Sequence, residues 1–105
     1  MKTKYTVITG ASSGIGRAVA LKFAERNKNL ILIARRKNLL EDLKSKILKK
    51  KPNLDILVID FDLTDVDKIP ELYSKLNNYH IETLINNAGF GMYGDVKEQP
   101  LNKIS

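Results

Sequence analysis

Thr9-Gly10-Ala11-Ser12-Ser13-Gly14-Ile15-Gly16 joins the apolar, β-branched run Tyr5-Thr6-Val7-Ile8 to the helix-like segment Arg17-Ala18-Val19-Ala20-Leu21-Lys22-Phe23-Ala24. Glycine has no Cβ, so this turn can adopt positive φ and let a ligand approach its backbone closely. The N–H groups that open the following helix lack intrahelical partners, and the helix dipole adds positive potential there. Strand, glycine turn and helix in that order predict an anion site, with phosphate as the expected guest. The spacing G-x-x-x-G-x-G is neither the G-x-G-x-x-G fingerprint nor a Walker loop, because no Gly-Lys-Ser/Thr follows. All six glycines of the chain fall in two stretches, Gly10 to Gly16 and Gly89 to Gly94, each directly after an apolar run.

Working outward, four strand candidates stand out: Lys4 to Thr9, Asn29 to Ala34, Leu54 to Asp60 and Thr83 to Asn86. Runs without polar alternation suit strands buried on both faces, as in a parallel sheet. Between them, Leu40, Leu43, Ile47 and Leu48 recur at helical spacing, as do Val66, Ile69, Leu72, Tyr73 and Leu76. Pro52 is expected to end the second helix. Thr64 or Asp65 is the expected cap of the third, with Pro70 in or just beyond its first turn. Strands alternating with helices through short connections imply right-handed crossovers and an α/β, doubly wound parallel sheet, with strand order 3-2-1-4. In such a sheet the ligand crevice lies beyond the carboxyl ends of the strands where the order reverses, here between the first and fourth. Both glycine stretches belong to that crevice.

The loop, together with Asn86-Asn87-Ala88-Gly89 at the second glycine stretch, resembles the short-chain dehydrogenase/reductase family. That family's loop reads T-G-x-x-x-G-x-G, and its fourth strand ends in N-N-A-G; both motifs fit without a substitution. The resemblance runs over the whole chain. It implies a Rossmann-like domain over residues 1–105, truncated after the fourth strand, that binds a nicotinamide dinucleotide through Gly10, Ser12, Ser13, Gly14, Ile15 and Gly16. It also implies that Asp62 contacts the adenine ring with Leu63 close by. Asn87, Ala88 and Gly89 would line the ribose and nicotinamide side, and Asn86 would bond across neighbouring strands. From the residues alone, Asp62 stands equally well at a helix start, where an Asp or Thr bonds free N–H groups.

Binders that prefer NAD carry an acid about 20 residues past the glycine loop, at the end of the second strand, to accept from the ribose 2′-OH. Here that segment reads Ile33-Ala34-Arg35-Arg36-Lys37, three cations and no carboxylate. An acid would repel a 2′-phosphate, whereas a guanidinium grips it through paired, charge-assisted hydrogen bonds. The expected cofactor is NADP(H), with Arg35 the first choice of contact and Arg36 the second. A plain basic helix start is the competing reading, although cations are mildly unfavourable there.

Members of the family transfer hydride with a Tyr-x-x-x-Lys pair, an upstream serine and a relay asparagine. The one literal match, Tyr93-Gly94-Asp95-Val96-Lys97, follows Gly89 too closely and sits in a glycine-broken stretch, whereas the pair must share a helix face. No catalytic residue is therefore assigned, and the catalytic set is expected beyond Ser105. The implied function is the cofactor-binding part of an oxidoreductase acting on a carbonyl or secondary alcohol. The alternative is a stand-alone, non-catalytic NADP(H)-binding module. A methyltransferase would want an acid where Arg35 and Arg36 stand.

The formal charge of +6 raises the question of nucleic acid, and Lys49-Lys50-Lys51 is the most conspicuous basic run. Those lysines end a predicted helix, where cations complement the dipole, and no aromatic residues interleave with them for stacking. No nucleic-acid partner is expected. With no Cys and only His80, no metal site is expected either. No run approaches the roughly 18 apolar residues of a membrane span, which favours a soluble, cytoplasmic protein. An unpaired edge on the fourth strand would favour homo-oligomers.

Overall fold

The computed structural model describes residues 3–12 and 14–87. The elements run β1 (Lys4–Thr9), α1 (Gly14–Glu25), β2 (Asn29–Ala34), α2 (Lys37–Lys50), β3 (Ile56–Asp60), a 3-10 turn (Val66–Lys68), α3 (Ile69–Leu76) and β4 (His80–Asn86). The four strands form one parallel sheet in the order β3-β2-β1-β4. This is the expected doubly wound, Rossmann-like α/β arrangement.

The strand sequences dictate two buried faces. Because successive side chains point to opposite sides, Ile8, Leu30, Leu32 and Ala34 meet Ala20, Ala24, Leu40, Leu43 and Ile47 of α1 and α2. Val7, Ile31 and Ile33 meet Leu72 and Leu76 of α3 on the other side. All of Leu30 to Ile33 are fully buried. Each such side chain contributes about 1.5–3 kcal/mol by leaving water, so β2 anchors both layers.

Two strand limits differ from the sequence reading. Strand β3 begins at Ile56, not Leu54, because Lys51 to Leu54 forms a turn in which the Leu54 N–H donates to the Lys51 carbonyl. Strand β4 begins at His80, not Thr83. Its first residues alternate between exposed His80, buried Ile81 and exposed Glu82, and Glu82 pairs with Lys28 at 3.7 Å. A search for unbroken apolar runs passes over such an edge segment. Helix α2 stops before Pro52 as expected, and Pro70 sits in the first turn of α3.

Helix α1 ends in a Schellman motif that the sequence reading did not identify. Asn27 takes φ 63°, its N–H donates to the Ala24 carbonyl, and the Lys28 N–H donates to that of Phe23. Asparagine stands where glycine is usual, so the glycine pattern gave no sign of it.

At the amino ends of the strands, the Tyr5 hydroxyl donates to the Asp55 carboxylate, and the Asp55 N–H donates to Asn29 Oδ1 at 2.8 Å. The Tyr79 ring meets Tyr5 edge-on, with centroids 5.3 Å apart. Burial, reinforced by the Asp55 bond and charge, pushes the Tyr5 phenol up to about 12. The protonated phenol is therefore favoured in the fold. The stability linked to it is intact below the unfolded value near 10 and is lost as pH rises through about 12. Denaturant unfolding of wild type and Tyr5→Phe across that window is expected to show a steeper alkaline decline in the wild type. Parallel curves would contradict it.

Candidate functional site

The glycine turn and the end of β4 meet at the carboxyl edge of the sheet, where strand order reverses. Gly10 and Gly14 adopt φ 63° and 56°, the left-handed region that side chains with a Cβ rarely occupy. Gly16 is constrained differently, by space. A Cβ built there would lie 2.0 Å from the Gly10 carbonyl oxygen and 2.9 Å from Asn87 Nδ2. Among the described residues, nothing lies within 4 Å of the same position on Gly14. At the mouth of the turn Ile15 is 72% exposed, an unusual position for a large apolar side chain.

Two amide side chains lock the crevice. Thr9 Oγ1 donates to Asn86 Oδ1 at 2.9 Å, which realises the cross-strand bond expected of Asn86. Asn86 Nδ2 is buried and has no hydrogen-bond partner among the described residues. Asn87 Nδ2 donates to the Gly10 carbonyl at 3.3 Å, so it braces the glycine turn from the neighbouring strand end. The sequence reading gave Asn87 only a ligand-facing role and missed this brace.

The second wall is built from the ends of β2 and β3, tied together by the Phe61 N–H donating to the Ala34 carbonyl at 2.9 Å. Arg35 and Arg36 are both exposed. Arg36 is the N-cap residue of α2 but makes no side-chain cap, and the first turn holds no acid. The first turn of α2 therefore presents its positive end, flanked by cations, with no acid of its own.

Asp62 lies across from Arg35. Its Oδ1 accepts from the Thr64 hydroxyl at 2.5 Å and the Thr64 N–H at 2.9 Å. Those two bonds, helped by the charge of Arg35, hold its carboxyl below the usual value. The caps expected from Thr64 and Asp65 are not made: Thr64 donates back to Asp62, and Asp65 precedes the 3-10 turn without a side-chain cap. Leu63 is buried against α3. Ser12 is half-buried beside Gly10. Ser13, Ala88, Gly89, Tyr93 and Lys97 lie outside the described residues.

The family model described as short chain dehydrogenase matches residues 4–105. The chain belongs to the short-chain dehydrogenase/reductase family. It is 37% identical over 87 residues to an uncharacterized oxidoreductase of Mycobacterium tuberculosis, covering 81% of this chain and 34% of that protein. It is 36% identical over 95 residues to a very-long-chain 3-oxoacyl-CoA reductase of Caenorhabditis elegans, covering 88% and 30%. Among solved structures, it superposes on the bulky-bulky ketone specific alcohol dehydrogenase from Comamonas testosteroni with TM-score 0.76 and 38% identity, covering 86% and 36%. A short-chain dehydrogenase from Sphingobium yanoikuyae in complex with NADPH gives TM-score 0.75 and 35% identity, covering 83% and 34%. The chain thus spans about a third of the length of the curated relatives it matches. Among the described residues, no helix is long and apolar enough to cross a membrane.

The approach of Gly16 to Gly10 generates a graded test. Gly16→Ala is expected to destabilise by about 1–3 kcal/mol or more, since backbone on either side must move apart. Gly14→Ala meets no neighbour among the described residues and is expected to cost the left-handed strain of roughly 1 kcal/mol. Urea unfolding of the two variants checks the order. A Gly16→Ala protein as stable as wild type would refute the contact.

Proposed function

We propose that this chain is the NADP(H)-binding part of an oxidoreductase that transfers hydride to or from a carbonyl or secondary alcohol. The observation that carries the cofactor assignment is the cationic end of α2, where Arg35 and Arg36 stand without any nearby capping acid. A 2′-phosphate would supply the counter-charge that the first turn of α2 lacks, and Arg35 can grip it through paired N–H donors. NADPH in the Sphingobium yanoikuyae structure and NADP in that of a metagenomic short-chain oxidoreductase support the same reading.

The residues present fit such a ligand. Gly10, Ser12, Ser13, Gly14, Ile15 and Gly16 would hold the pyrophosphate, with backbone N–H groups donating beside Gly14. Asp62 has one oxygen occupied by Thr64 and another to accept from the adenine amino group, with Leu63 setting the depth of the turn. Asn87, Ala88 and Gly89 would border the ribose and nicotinamide. When bound, the cofactor supplies or accepts the hydride; this chain's own residues bind it, orient it and fix its phosphate preference. Proton transfer and substrate binding are assigned to further residues of the full-length enzyme, which we take to be a homo-oligomer acting in the cytoplasm.

Arg35→Asp is expected to weaken NADPH binding by about tenfold or more, the loss of one or two charge-assisted bonds of about 1.5–3 kcal/mol, while strengthening NADH. Parallel titrations of both cofactors by protein fluorescence quenching or calorimetry decide it. Unchanged curves for both would remove Arg35 from the site.

A further inference from the structure

Away from the dinucleotide crevice, a cavity of about 410 Å³ opens between the last turns of α1 and α2. Its residues on α1 start at Leu21, so it lies roughly 10 Å along the helix axis from Gly14, toward the amino ends of the strands. The floor is apolar: Ala24 and Ile47 are buried there, and Leu21 stays 38% exposed above them. The rim is cationic, formed by Lys46, Lys49 and Lys50, all exposed and with no ion pair among the described residues. Glu25 is the single acid on the lining.

Two polar contacts join the α1 and α2 segments on either side of the cleft. Arg17 on α1 reaches Asp42 on α2 at 3.9 Å, and below it Lys51 Nζ donates to Asn27 Oδ1 at 2.8 Å. Lysines that only complement the end of α2 would need no apolar floor between them. A volume of this order, an apolar base and a few convergent charges are the attributes of a small-molecule site. Lysine stems can cover an aliphatic chain while their ammonium groups stay at the water boundary.

We propose that this cleft binds a small anionic amphiphile, an aliphatic chain with a carboxylate head, independently of the dinucleotide. The chain lies on Leu21, Ala24 and Ile47, and the head meets Lys49 and Lys50. The assignment follows from charge complementarity: a neutral or cationic head would leave the lysine rim unanswered or repelled.

The test is calorimetric titration of the NADPH-loaded protein with laurate below its micellar concentration, beside dodecyltrimethylammonium and acetate. Laurate is expected to bind without displacing NADPH, and the other two to bind far more weakly. In the double variant Lys49→Glu/Lys50→Glu, laurate affinity is expected to fall by about tenfold or more, with NADPH affinity unchanged. Leu21→Gln is expected to weaken laurate with the lysines intact. Equal binding of laurate and the cationic detergent, displacement of NADPH, or indifference to both variants would overturn the proposal. Loss of NADPH binding by wild-type protein would instead strike the cofactor assignment alone.

Discussion

The contact between residue 16 and the carbonyl of residue 10 is the constraint from which the carboxyl end of the sheet follows. Helix α1 leaves β1 so tightly that no side-chain atom fits at position 16. That tightness sets the first turn of α1 beside the strand end. Asn87 then spans from β4 to the same carbonyl, so one oxygen receives a brace from the neighbouring strand. Replacing Gly16 would therefore disturb both sides of the crevice through a single displaced peptide.

Rigidity behind that turn comes from the sheet. Strand β1 is central, with Val7 and Ile8 fully buried on opposite faces, and β2 repeats the pattern over four consecutive residues. Small Ala20 and Ala24 let α1 lie close on one face, while Leu72 and Leu76 of the short α3 cover the other. The amino ends of the strands are fastened by Tyr5, Asp55 and Asn29. At the carboxyl ends, Thr9 ties β1 to Asn86 of β4, and Asn87 ties the end of β4 to the glycine turn.

Much of this was legible in the chain because it rests on short-range rules. Apolar runs marked the central strands, helical spacing of Leu40, Leu43 and Ile47 marked α2, and the glycines marked the turn. Alternation of strand and helix with right-handed crossovers then gave the strand order. Less legible were features that depend on one polar atom finding another. Asn27 could be read as a helix end only through its left-handed φ, and the start of β4 only through the pairing of His80 with Lys4. The caps expected at Thr64 or Asp65 were misplaced for the same reason: Asp62, two residues earlier, reaches the Thr64 N–H first and closes its own turn.

The two ends of α2 show how position alters the meaning of one residue type. At its amino end, Arg35, Arg36 and Lys37 oppose the helix dipole, each disfavoured by roughly 0.3–1 kcal/mol when exposed. With no acid in the first turn, α2 offers these cations no counter-charge of its own, and the carboxylate that acts on Arg35, Asp62, comes from the segment after β3. At its carboxyl end, Lys49 and Lys50 agree with the dipole and call for nothing by their charge alone. What sets them apart from an ordinary helix terminus is the cleft they border, on whose apolar floor Leu21 stays 38% exposed. The first end is set apart by cations that oppose the dipole of their own helix. The second calls for an amphiphile because its charges stand around a surface that water wets poorly.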